Sequence, residues 1–168
     1  MKRICLLLML TLPLVSCAEE IADPLAYQDG AFSVKAEISN GDENYLALIA
    51  SAPAENGRES TLTICGGLLD GVTFGFGENT CLMLDGMKIP LDDPGLIMGA
   101  YEIVSMFEID RNCFYGSSET DEGTVFAFTD DEGRVKYEVL LADSMPKRIR
   151  ATLGDRVIIA EIDEFLPG

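Results

Sequence analysis

From residue 31 onward the sequence alternates apolar and polar residues with a period of two, and that rhythm admits few folds. Phe32, Val34, Ala36 and Ile38 fall on one side, with Ser33, Lys35 and Glu37 on the other. Successive side chains of a β-strand point to opposite faces, so this is a strand buried on one face. Asn40-Gly41-Asp42 turns the chain, Tyr45 to Ser51 returns, and Pro53 to Gly57 is expected to be a loop. Thr61 to Cys65, Val72 to Gly77 and Thr80 to Leu84 carry the rhythm on. Asp85-Gly86 marks a tight hairpin, because both central positions of such a turn need positive φ. Met87, Ile89 and Leu91 continue beyond it, so the first half reads as a meander.

The period then changes once. Asp92 suits a helix N-cap and Pro94 a first helical turn. Leu96, Ala100, Ile103, Val104 and Phe107 recur at helical spacing, predicting one amphipathic helix over residues 93–108. Gly95 and Gly99 weaken it in isolation, so it needs packing against the sheet. Residues 109–122 read as a polar, cysteine-containing loop. Strands resume at Thr124, turn through Asp130-Asp131-Glu132-Gly133, and continue to Asp163. Consecutive antiparallel strands around one inserted helix predict an α+β layer in a single domain.

The amino terminus follows other rules. Met1-Lys2-Arg3 precedes an apolar run from Ile4 to Val15, too short for the ~20 residues that span a bilayer. A basic start, a short apolar stretch and small residues before a break make a secretory signal. The break, Leu14-Val15-Ser16-Cys17, resembles the lipobox of bacterial lipoproteins. The resemblance implies cleavage before Cys17, diacylglycerol on its sulfur and a further acyl chain on the new amino terminus. Two or more chains anchor stably, at ~0.8 kcal/mol per buried methylene. An ordinary secretory cleavage near Ser16 or Ala18, with an incidental cysteine, is the alternative. Residues 1–16 are thus expected to be a lipoprotein signal peptide. Residues 17–29 are expected to be the lipidated cysteine and a short acidic tether reaching about 40 Å, and residues 30–168 one domain. The location implied is the extracytoplasmic face of the bacterial cell membrane, or the outer membrane in a diderm host.

Composition excludes several functions. Lys2 and Arg3 leave with the signal, so 12 − 2 = 10 basic residues face 29 acidic ones, a mature net charge of −19. Such a surface repels nucleic acid and anionic headgroups, so the lipid on Cys17 has to hold the protein at the membrane. Histidine is absent, which removes the commonest general base and zinc ligand. No nucleophile elbow, P-loop or dinucleotide fingerprint occurs. The expectation is a non-enzymatic protein with no cofactor, no metal site and no nucleic-acid partner. The carboxylates at Asp92-Asp93 and Asp130-Asp131-Glu132 lack EF-hand spacing and suit a helix cap and a hairpin turn. Lys147-Arg148-Ile149-Arg150 reads as the solvated face of a strand, with a headgroup or acidic partner as the alternative. Cys65 and Cys81 fall on strands two positions apart, about 9.6 Å, too far for a disulfide.

Phe32-Ser33-Val34-Lys35-Ala36, Gly71-Val72-Thr73-Phe74, Leu84-Asp85-Gly86-Met87-Lys88-Ile89 and Ile158 to Phe165 together resemble the LolA/LolB/RseB-like group in rhythm and order. The resemblance implies a strongly curved antiparallel sheet, a half-barrel of about nine strands, with one helix on its concave face. Carriers of that group usually begin with a helix, and residues 18–29 make a poor one. A hydrophobic cavity would be lined by Phe32, Val34, Phe74, Phe76, Leu96, Ala100 and Val104. The same stripes also read as an ordinary packed core. Two functions remain open: binding or sensing a lipid-like hydrophobic ligand, or contacting an envelope protein through a solid-cored domain. For the anchor, Cys17→Ala should move the protein from the membrane to the soluble fraction and leave its circular dichroism unchanged. Retention of that variant on membranes at high salt would overturn the anchor assignment.

Overall fold

The computed structural model describes residues 23–92, 97–130 and 132–168. Eleven strands form one antiparallel sheet: β1 (Phe32–Asn40), β2 (Glu43–Ala54), β3 (Gly57–Cys65), β4 (Thr73–Phe76), β5 (Cys81–Leu84), β6 (Met87–Pro90), β7 (Phe114–Thr120), β8 (Gly123–Thr129), β9 (Val135–Ala142), β10 (Met145–Leu153) and β11 (Arg156–Pro167). Their order is β6-β5-β4-β3-β2-β1-β11-β10-β9-β8-β7, so the sheet is open, with β6 and β7 at its edges. This corrects the expected half-barrel of about nine strands: the molecule is dominated by one large unclosed sheet of eleven.

The differences have local causes. The expected polar loop at 109–122 contains edge strand β7, whose residues other than Gly116 are exposed; a strand with almost nothing to bury shows no apolar alternation. The expected loop at Pro53–Gly57 is a two-residue hairpin, since Pro53 pairs with Arg58 and Ala54 with Gly57. Proline is tolerated there because β1 stops opposite Ser51, leaving Pro53 a neighbour on one side only. β10 starts at Met145, after a turn in which Asp143 and Ser144 both have positive φ. Asp85 and Gly86 form the expected hairpin, with φ of 49° and 79°.

The one α-helix among the described residues, α1 (Met98–Ser105), is half the expected length. Ile97 precedes it with no side-chain cap, so Asp92 does not act as its N-cap; Asp93, Pro94, Gly95 and Leu96 lie outside the described residues. Gly99 in the first turn and the β-branched pair Ile103-Val104 disfavour a longer helix. Packing holds it instead. Ile103, Val104, Met106, Phe107 and Ile109 are buried against one face of the sheet.

That face is built of transverse rows set by the registers. One runs Ile38, Ala160, Ile149, Val139, Phe126 across β1, β11, β10, β9 and β8. Another runs Val34, Ile49, Leu62, Phe74 across β1 to β4. On the opposite face Arg148 pairs with Glu122 and Glu161, and Arg150 with Glu138, while Ile149 is fully buried. The arginines of the basic cluster at 147–150 are therefore ion-paired. Asp130 closes the β8–β9 turn by accepting from the backbone N–H of Arg134 and Val135.

Residues 23–29 pack onto the domain. Leu25 is fully buried in the core, and Tyr27 meets Phe32 and Phe165 edge-on at 5.7 and 5.5 Å. Gln28, with its amide nitrogen toward the Ile109 carbonyl, donates to it and accepts from Ile109 N–H, both at 3.1 Å. Arg111 bridges Asp23 and Asp29 at 2.8 and 2.5 Å and donates to the Leu25 carbonyl. Only residues 18–22 lie between Cys17 and this docked stretch, a span of at most about 20 Å. Burial pushes the Tyr27 phenol well above its usual value, and lesser upward shifts at Tyr45 and Tyr137 have the same leading cause. A raised folded-state pKa favours the neutral phenol. Its stabilising contribution is complete below the unfolded tyrosine value of about 10 and is lost as pH rises past it. Melting temperature should therefore fall above pH ~10, and Tyr27→Phe should flatten that fall; an unchanged alkaline slope would contradict the burial assigned to Tyr27.

Candidate functional site

Where α1 passes over β3 and β4 its facing residues are small. Gly99 and Ala100 oppose Leu62, Ile64 and Phe74, leaving an open groove of about 1050 Å³. It is bounded by the β1–β2 turn (Asn40, Asp42, Glu43, Asn44), by Tyr45, and by the Gly66–Leu69 loop. A smaller hollow of about 330 Å³, lined by Phe76, Thr80, Met98 and Tyr101, adjoins it through Ile97. Among the described residues no lysine or arginine lines either one. Burial raises the Tyr45 phenol pKa, and the negative charge of Glu43 adds to it.

The loop is held firmly although its leucines are not covered. Gly71 N–H donates to the Ile64 carbonyl, Val72 N–H to the Leu69 carbonyl, and Gly66 N–H to Asp70 Oδ1 at 2.6 Å. Gly66 and Gly67 both take positive φ, 90° and 72°, which this tight path requires and larger side chains resist. The outcome is that Leu68 is completely exposed and Leu69 53% exposed. They give the groove an apolar lip, and Met98 and Tyr101, 50% and 55% exposed, edge the adjoining hollow. Contiguous exposed apolar surface marks a binding region far more often than scattered single residues do.

The residues expected to line a cavity separate into two groups. Phe32, Val34 and Val104 are buried in the packed core, and Phe32 stacks on Phe165 near the docked amino-terminal segment. Phe74, Phe76 and Ala100 are partly buried and line the groove or its extension. Leu96 and Cys17 lie outside the described residues. Tyr45, Ile64, Leu68, Leu69, Ile97, Met98 and Tyr101 were not expected there. The adjacent pair Leu68-Leu69, set between Gly66-Gly67 and Asp70-Gly71 without an apolar partner at strand or helix spacing, was the available signal.

Two other surface hollows are partly apolar but have no exposed large apolar side chain at their edge. One of about 440 Å³ is lined by Phe32, Phe76 and Met83 beside Glu59, Glu78 and Lys88, and one beside the docked segment, about 1020 Å³, sets Phe126 and Leu141 among Asp23, Glu119, Asp121, Glu122 and Asp143. Ser51 and Ser60, both buried, form a polar knot instead of a site. Ser51 donates to Glu108 Oε1 (2.9 Å) and accepts from Arg58 Nε (2.7 Å), and Ser60 contacts both Ser51 and Glu108. Arg58 also donates to the carbonyls of Gln28 and Gly30 and lies 5.2 Å over the Phe32 ring. Cys65 and Cys81 carry free thiols on β3 and β5, with β4 between them. Among the described residues no helix is long and apolar enough to cross a membrane.

A large open antiparallel sheet with one helix on one face defines the fold class. No protein-family model matches the sequence, and no curated protein is significantly similar to it. Among solved structures the chain is similar to the crystal structure of MucB, at 13% identity and a TM-score of 0.50, over 86% of this chain and 56% of that one. It is also aligned with the Pseudomonas aeruginosa MucA/MucB complex at 11% identity and a TM-score of 0.43, over 85% and 53%. This chain thus spans about half the length of those it matches. The likeness concerns the fold, and it supports the LolA/LolB/RseB-like group that the sequence resembles. Floor and lip of the groove should respond differently to mutation. Leu62→Ala should cost about 2–5 kcal/mol, whereas Leu68→Ser with Leu69→Ser should stay within about 0.5 kcal/mol, as read from urea unfolding.

Proposed function

We propose that this chain is a non-enzymatic binding module of the bacterial envelope, tethered through lipid on Cys17, that seats the apolar part of its ligand in the groove between α1, β3 and β4. The observation that carries this reading is the firmly held, uncovered apolar lip over an apolar floor. Phe32, Val34 and Val104 are buried in the packed core, so a lipid-like ligand would lie in the groove and not beneath the whole helix. A partner protein would use the same surface. The similarity in fold to MucB supports the architecture and leaves the ligand to be argued from the groove itself.

Gly99 offers a direct test. A Cβ built there meets nothing within 4 Å, and replacing a helical glycine favours the helix by roughly 0.5–1 kcal/mol. Gly99→Leu should fill the groove without unfolding the domain. The unsubstituted chain should enhance the fluorescence of N-phenyl-1-naphthylamine, a neutral apolar probe, and Gly99→Leu should abolish most of that gain while melting at the same temperature or higher. Absence of probe binding, or equal binding by the variant, would remove the groove as the site.

A further inference from the structure

We infer that the occupant of this groove is a cationic amphipathic segment of a partner protein, an assignment that rests on the groove reading and makes it specific. The charge around the groove selects among apolar ligands. Asp42 and Glu43 stand on its rim, and Asp70 caps the adjoining loop. Arg156, on the β10–β11 hairpin, is engaged by Glu102 of α1, so its charge is already matched. In a chain of net charge −17, an anionic headgroup would meet repulsion here and a lysine or arginine attraction.

Shape points the same way. A single acyl chain in an open groove leaves one flank in water, whereas an amphipathic segment lays one apolar stripe in the groove and keeps its polar side solvated. A helix about 10 Å across is wide enough to touch floor and lip together. Leu68, fully exposed on a hydrogen-bonded loop, is placed to enter between the partner's apolar side chains, as a buried anchor does at an interface centre.

Position adds a third argument. The acidic rim of the groove lies by the β1–β2 turn, whereas residues 23–29 dock near Phe32, eight residue steps or about 27 Å along β1. That rim is therefore at the end of β1 remote from the docked residues.

The test uses the mature chain carrying Cys17→Ala and two synthetic 18-residue peptides with identical leucine faces, one with lysine and one with glutamate on the polar face. Calorimetry should show the lysine peptide binding at least tenfold more tightly at 0.15 M salt. Asp42→Asn with Glu43→Gln should weaken it at least fivefold, and so should Leu68→Ser with Leu69→Ser, at unchanged melting temperature. Equal binding of the two peptides, or lysine-peptide binding insensitive to the leucine substitutions, would overturn the inference. So would dodecanoate binding more tightly than either peptide. If the neutral probe still binds while the lysine peptide does not, this assignment falls and the groove stands; if neither binds, both fall.

Discussion

The pairing of β1 with β11 makes the structure one sheet. Phe32 lies opposite Pro167 and Asn40 opposite Ile158, with one bulge between Lys35 and Ala36. On either side the chain only winds outward as a meander, to β6 in one direction and to β7 in the other. Since β6 and β7 are consecutive in sequence and at opposite edges, the segment joining them has to cross the sheet. The face it crosses becomes the buried one, and α1 is the helical part of that crossing. The groove follows from the same constraint. Ile103, Val104 and Phe107 fill the space over the central strands, while Gly99 and Ala100, reached earlier in the crossing, are too small to fill the space above β3 and β4.

The far end of the crossing is fixed by polar contacts. Glu108 accepts from the buried serine of β2 and contacts that of β3, and Arg58 joins the same knot to the carbonyls of Gln28 and Gly30. Buried hydroxyls left without partners would each cost about 1–3 kcal/mol, so the knot specifies where the crossing segment lands. It also fixes the docked amino-terminal stretch, which Arg111 holds from the other side. The ion pairs of Arg111 are half exposed and contribute little alone; Leu25, wholly buried, supplies most of the attachment.

The central strands were legible in the sequence because each has one face against the core and one in water. Phe32 to Ile38 and Val135 to Leu141 alternate for that reason. The β7 edge was not legible, because Phe114–Thr120 buries almost nothing and leaves no periodic trace. Asp143-Ser144 hid a hairpin, since a turn with two positive φ values is usually announced by glycine. The expected helix exceeds the observed one because apolar residues at 96, 100, 103, 104 and 107 keep helical spacing, although Phe107 packs from a turn after the helix has ended. The groove was half legible. Phe74, Phe76 and Ala100 belong to regular stripes, whereas Leu68 and Leu69 act through exposure on a loop, a property that periodicity does not encode.

An acidic surface and an apolar groove make a coherent pair once location is supplied by a separate device. A domain that relied on its own charge to reach an anionic membrane would need a basic face. Here the arginines of the outer face are matched by Glu122, Glu138 and Glu161, and the groove carries acids at its rim. Lipid on Cys17, as proposed, would hold the chain against that repulsion, with residues 18–22 between it and the docked stretch. The sheet surface is then released from binding the bilayer, and its excess negative charge can steer cationic partners toward the groove edged by Leu68 and Leu69.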